Sequence, residues 1–208
     1  MLQTQTVEPR TLSLLKHLCK LPCLNKFSLV GGTALSLKLG HRKSIDLDFF
    51  STSDFENIKV IDCLKQEFSS GFILEDRPER FGIFCYINDV KVDIVRHPHP
   101  LIGPLETIEG IRFFSDQDIM AMKIQAILGR GKKKDFWDIA ELLQHYSVID
   151  FIKNHKEKYS TQNLLISIPQ VMIYFQDAEE DEDPVSLRGQ TWEGVKKTIR
   201  EKVAAYLR

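Results

Sequence analysis

Two aspartates one residue apart, Asp46 and Asp48, interrupt the apolar run Ile45-Asp46-Leu47-Asp48-Phe49-Phe50. An extended chain places successive side chains on opposite faces. Both acids therefore share one face, while Ile45, Leu47 and Phe49 point the other way, into a core. Two carboxylates side by side push one another toward protonation unless a cation intervenes. Mg²⁺ (or Mn²⁺) removes that conflict, and Mg²⁺ is commonly held by a few carboxylates together with substrate phosphate oxygens. A third acid, Asp93, stands within Val90-Lys91-Val92-Asp93-Ile94-Val95. It joins the same metal site if its strand lies beside the first, and is otherwise a strand-end or exposed residue.

Just upstream, Gly31-Gly32-Thr33 follows the strand-like Phe27-Ser28-Leu29-Val30 and precedes a helical pattern. Glycine admits positive φ and close backbone approach. A strand-to-helix turn aims N–H groups at an anion, and Thr33 adds a hydroxyl. Taken alone this is a tight turn; ahead of Asp-x-Asp it becomes a candidate triphosphate cradle. His41, Arg42 and Ser44 lie between the two motifs, with Arg42 and Ser44 as candidate nucleotide contacts.

Further on, Lys123, Ile127, Arg130 and Lys134 are spaced by three and four, which is one helix face if the helix runs on. Gly129 and Gly131 otherwise end it, leaving Arg130, Lys132, Lys133 and Lys134 as a basic patch beside Asp135. Such a patch neutralises triphosphate or guides an RNA backbone, or is a solvated loop. Asp135 caps its own helix, meets a substrate hydroxyl, or holds a Lys or Arg. Asp138 is one turn on, and Trp137 reads as core. His97 and His99, set between prolines, fit a loop better than a metal site.

The elements that must carry these residues follow from pattern. A helix is expected from Pro9 and Thr11 through Leu18, then the strand at Phe27–Val30 and a helix through Leu35, Leu37 and Leu39. A strand spans Ile45–Phe50, and Ser53 or Asp54 caps a helix to about Phe68. Phe72–Leu74, Phe81–Ile87 and Val90–Val95 read as strands, the last two joined by an Asn88-Asp89 turn. The stretch from His97 to Pro104 is loop. From Ser115 on, helical patterns cover 116–129, 134–146, 149–158, 161–175 and 191–207. The acidic run Asp177–Asp183 reads as an exposed loop. The expectation is an α/β (α+β) fold: residues 1–114 a mixed sheet with helices, and residues 115–208 a helical region completing the site.

The chain has 208 residues, 43% of them hydrophobic and 27% charged, with a formal net charge of -1. This suits a globular core, and any nucleic-acid contact must use a local basic patch. No apolar run is long enough to span a bilayer and the first residues lack a signal-peptide pattern, so a cytoplasmic protein is the default. Cys19, Cys23, Cys63 and Cys85 show no zinc spacing and read as reduced, buried thiols, with Cys19 and Cys23 one helical turn apart.

Gly31-Gly32-Thr33-Ala34-Leu35 followed by Arg42-x-Ser44-x-Asp46-Leu47-Asp48-Phe49-Phe50 resembles the first motif of the AbiEii/AbiGii-type nucleotidyltransferase toxins, of the polymerase-β-like superfamily. Lys123 to Asp138, KIQAILGRGKKKDFWD, resembles their downstream helical motif. With Val92-Asp93-Ile94, the likeness spans about Val30 to Leu143. It implies a mixed sheet carrying the acids and transfer of a nucleoside monophosphate from an NTP to an acceptor, with release of pyrophosphate. It also implies a toxin role, with RNA (tRNA) or protein as acceptor and an antitoxin as partner. Carried over, Asp46 and Asp48 bind metal, Gly32 and Thr33 contact the triphosphate, and Lys123 and Asp135 complete the site. Asp93 as third ligand, and Arg130 as a nucleotide contact, rest on less specific matches. The chain departs from the wider superfamily in carrying Gly32, with Thr33 next, at the second position of its usual Gly-Ser pair. Competing readings are a nucleotide-binding module without turnover, and a protein-interaction module whose acidic loop 177–183 meets a basic partner.

Overall fold

The computed structural model describes residues 1–75 and 81–208. Seven strands form one mixed sheet: β1 (Ser28–Val30), β2 (Leu47–Ser51), β3 (Phe72–Leu74), β4 (Gly82–Ile87), β5 (Val90–Arg96), β6 (Glu106–Ile108) and β7 (Ile111–Phe113). Their spatial order is β3-β4-β5-β2-β1-β7-β6. β2 runs parallel to β5 and β1 parallel to β7, while the other neighbours are antiparallel. The helices are α1 (Pro9–Leu18), α2 (Gly31–Leu39), α3 (Asn57–Phe68), α4 (Asp116–Gly129), α5 (Lys133–Leu142), α6 (Val148–Lys158), α7 (Ile168–Met172) and α8 (Trp192–Tyr206). Every strand among the described residues precedes residue 114, and α4–α8 follow it.

Alternation in the sequence builds the central strands. In β2, Leu47 and Phe49 are fully buried on one face, leaving Asp48 and Phe50 on the other. The β4–β5 hairpin closes on Asn88 and Asp89, with φ of 49° and 64°, the positive pair that a two-residue primed turn demands. One hydrophobic cluster joins the sheet, through Leu29, Phe49 and Ile94, to the helices, through Ile119, Trp137, Phe151 and Ile199. Trp137 of α5 stacks on Trp192 of α8, ring centroids 5.9 Å apart and 7° from parallel.

Several expectations are corrected. Ile45 is 64% exposed and lies, with Asp46, before β2 rather than within it. Neither Ser53 nor Asp54 caps α3, which starts at Asn57; Ser53 N–H instead bonds Ser51 Oγ in a turn. The pattern at 161–175 yields only the short α7, because Pro169 and the Ser167/Gln170 capping box start a helix late; Leu164, Leu165 and Ile166 stay exposed. α5 ends at Leu142 rather than 146. The β6–β7 hairpin was not anticipated. Its three-residue strands are too short to show a period, and it turns through Glu109 and Gly110 at positive φ. Cys23 and Cys63 form a disulfide between the turn Pro22–Leu24 and α3, whereas Cys19 and Cys85 are free and buried. Cys19 and Cys23 share no helix, since α1 stops at Leu18 ahead of Pro22. No helix among the described residues is long and apolar enough to cross a membrane.

Candidate active site

Register across three strands lays out the candidate site in ranks. β2–β5 pairing sets Asp48 beside Asp93, and β5–β4 pairing sets Asp93 beside Phe84. Two residues along, Phe50, Val95 and Gly82 form the next rank on the same face. Asp48 is pushed up to about 6, by burial first and then by Asp93 and Asp46, against the pull of Lys123 and Lys91. Asp93 accepts Lys91 Nζ on both oxygens, at 2.9 and 2.7 Å. Asp46, more open, has an oxygen 3.6 Å from Lys134 Nζ.

The glycines work at this row. Gly31 opens α2 with φ of 72°, and a Cβ there would stand 2.7 Å from Asp48 Oδ2. Both the conformation and the close approach call for glycine. At Gly32 a Cβ would meet Arg42 Nη2 at 2.1 Å, so its bare backbone makes room for the guanidinium. Thr33 is buried, and its Oγ1 donates to the Asp46 carbonyl and lies 2.8 Å from Ser44 Oγ. Thr33 and Ser44 thus tie the start of α2 to the segment leading into β2.

Behind the row lies a charge network. Lys123 of α4 places Nζ 2.8 Å from Asp135 Oδ1 and 2.5 Å from Asp138 Oδ2. Arg42 donates from Nε and Nη2 to the two Asp138 oxygens, at 2.7 and 2.9 Å, and His41 Nε2 lies 2.8 Å from Oδ1. Asp135 and Asp138 are wholly buried. Burial works to raise the Asp138 pKa, yet Arg42 and Lys123 hold it well below the ordinary value. Burial works to lower that of Lys123, yet Asp135 and Asp138 keep it raised. Arg130 follows the end of α4, Nε 3.4 Å from Asp135 Oδ2. That oxygen is buried without a hydrogen bond among the described residues.

The anticipated basic patch is smaller than its sequence. Lys133 is buried, donating to the Asp181 carbonyl and pairing with Asp183 at 2.9 Å. The acidic run therefore docks, in part, on the start of α5. Sequence reasoning noted Asp138 only as a neighbour of Asp135, and missed its pairing with His41 and Arg42. The signal was the Asp-x-x-Asp spacing, which puts both acids on one helix face.

A cleft of 520 Å³ opens between the sheet face and α4. Asp48, Asp93, Lys123, Arg130 and Asp135 line it on one side. Among the described residues no three acids or imidazoles converge tightly enough to hold an ion as they stand. The donor chemistry still suits a hard divalent cation: adjacent carboxylates, of which burial first and then the neighbouring acids push Asp48 up to about 6.

This fold is that of nucleotidyltransferases. The chain superposes on MenT4, a nucleotidyltransferase toxin of Mycobacterium tuberculosis H37Rv, with a TM-score of 0.65 at 15% identity, over 92% of this chain and 81% of that one. It matches JHP933 of Helicobacter pylori with a TM-score of 0.57 at 21% identity, over 96% and 92% of the two chains. An uncharacterized protein of Aquifex aeolicus (strain VF5) is 29% identical over 203 residues, 93% of this chain and 94% of the relative. Residues 13–205 match the model of the nucleotidyl transferase AbiEii toxin family, type IV toxin–antitoxin system, and the chain belongs to that family.

Proposed function

We propose that the protein transfers a nucleoside monophosphate from an NTP to an external acceptor, in the cytoplasm, as the toxin of a toxin–antitoxin pair. The observation that carries this reading is the in-register pair Asp48 and Asp93 facing a cleft that Lys123 and Asp135 also line. Asp46, Asp48 and Asp93 are the residues that would hold Mg²⁺ (or Mn²⁺). Bound there, the cation would supply Lewis-acid stabilisation of the charge on reacting and leaving oxygens.

The chain's own groups do the rest. Asp48 and Asp93 concentrate negative charge where an ion-bound triphosphate enters. The N–H groups at the start of α2, by Gly31 and Gly32, face an anion with the positive end of a helix. Thr33, Ser44 and Arg42 keep that turn and Asp46 in place, and Arg130 and Lys134 offset charge on phosphoryl oxygens. Lys123 stabilises charge developing on the transferred group, and Asp135 fixes its amine. Residues 1–114 would bring the acids and residues 115–208 the lysine. None of these residues supplies an attacking group to be consumed, so the acceptor comes from outside; RNA such as tRNA suits Arg130, Lys132 and Lys134, and a protein hydroxyl is the other choice.

The test is incubation of the protein with each α-labelled NTP, Mg²⁺, and total tRNA or cell protein. Label on RNA is expected, and label on protein reassigns the acceptor. NTP binding without label on either would leave a non-catalytic nucleotide-binding or protein-interaction module of the same fold.

A further inference from the structure

The cleft changes character along the sheet. From the acidic rank of Asp48 and Asp93, one step of two residues, about 7 Å, leads to Phe50 and Val95. Just past β5 comes His97, whose N–H bonds the Ser51 carbonyl. Rings accumulate here: Phe50 and His97 have centroids 5.7 Å apart, His97 and His99 5.1 Å, and His99 and Tyr159 4.5 Å. Phe81 and Phe84 meet edge to face at 6.0 Å across the rim. All of these residues line the same cleft as the acids.

This end suits an uncharged planar ring and repels an ion. His97 is neutral, because burial, and then Lys158 and His99, push it down to about 3. Lys158, the cation that acts on His97, is spent: its ammonium is buried, bonding Asp118 Oδ1 at 2.6 Å and the Pro100 carbonyl at 2.8 Å. Polar capacity is nonetheless left over. His97 Nε2 is buried with no partner among the described residues, an expensive vacancy unless something fills it. Gln125 of α4 turns its amide oxygen toward His155 Nε2 at 3.2 Å, which keeps its N–H donors for an occupant. The wall is also held rigid. Asp118 accepts the N–H groups of Ile102 and Gly103, each at 3.1 Å, and so pins the loop that carries His97 and His99.

Resting on the proposed NTP site, we infer that this aromatic half of the cleft is the subsite for the nucleobase of the incoming NTP, stacked on the rings and read at its edge by His97 and Gln125. Flat heteroaromatic rings with donors and acceptors on their rim match what the wall offers. Continuity with the acidic rank on the same two strands favours the base attached to the bound triphosphate over a base of the acceptor.

Calorimetric binding of each NTP and of inorganic tripolyphosphate, in Mg²⁺, separates the two readings. The wild-type protein should bind its preferred NTP more tightly than tripolyphosphate. Phe50→Leu should weaken that NTP roughly five- to a hundredfold, the scale of a lost base–aromatic stack, with tripolyphosphate affinity unchanged. Gln125→Leu, melting like the wild type, should reorder the four NTPs. Equal wild-type affinity for NTP and tripolyphosphate, or equal weakening of both in the variants, would overturn the base subsite while leaving the triphosphate site standing. Unchanged NTP binding with a raised KM for RNA would assign the rings to the acceptor and overturn it too. Failure of tripolyphosphate to bind at all, with NTP still bound through the rings, would fault the triphosphate site alone.

Discussion

Two groups of aspartates lie within one cleft and its wall, and they are treated oppositely. Asp138 is fully buried and fully matched, by Arg42 through two bonds, by His41 and by Lys123. Asp48 stands beside Asp93, and burial, then Asp93 and Asp46, push it up to about 6. Compensated charge is scaffold, because taking away a partner exposes the cost of burying the remainder. Like charge crowded at a cleft, with a raised carboxyl, points to a ligand that answers it. The same residue type thus serves opposite ends within a few strands and one helix.

The sharpest break of this contrast is Asp138→Asn, which strands the buried charge of Arg42 and leaves Lys123 with Asp135 alone. Stability should fall by about 3–5 kcal/mol, read as a lower midpoint in urea unfolding. The contribution of Asp138 is present above its ordinary value of 3.8 and is lost as pH falls through its depressed folded value. The variant's stability should therefore depend less on pH below 3.8. A change within ±0.5 kcal/mol would mean that the network is not scaffold.

Asp48→Asn should do the reverse. Turnover should drop roughly a hundred- to a thousandfold, since a metal-held charge contributes several kcal/mol to the transition state. Its melting temperature without metal should hold or rise, as a repulsion has been removed. Mg²⁺ should raise the melting temperature of the wild type by mass action and leave this variant unmoved. Equal Mg²⁺ stabilisation of both would take the ion away from Asp48.

The smallest expected effect is at Gly31→Ala. A left-handed conformation costs an L-residue roughly 1–2 kcal/mol, and the new methyl presses on Asp48 Oδ2. Activity should fall further than that stability loss predicts, because the carboxylate is displaced. Activity and stability falling in proportion would make Gly31 a simple turn residue.

Much of this frame was legible because it is local. Alternation in Leu47–Phe50 gave the face of Asp48, the Asn88-Asp89 turn gave the hairpin, and the bounds of α4 fell where pattern put them. What escaped was long-range or short. Arg42 and Asp138 meet across 96 positions, and no periodicity connects them. Lys133 read as part of a basic patch, either phosphate-binding or solvated, whereas Asp181 and Asp183 fold back upon it. The ring cluster escaped because Phe50, His97 and Tyr159 come from three separate segments that no local pattern joins. The roles proposed for Lys123 and Asp135 come from resemblance; their pairing at 2.8 Å was not read from the sequence.

The separation of Arg42 from Asp138 has a bearing on how the chain is made. A ribosome adds about 5–20 residues per second, so Arg42 emerges some 5–20 s before the acid that neutralises it. For about 1.5–6 s of it, between the making of Asp93 and of Lys123, the parallel neighbours Asp48 and Asp93 exist in the nascent chain without that lysine. Non-local pairings of this kind also close slowly. A growing chain therefore carries its acidic row without its lysine, and the cleft has no second wall until α4, α5 and Tyr159 have been made.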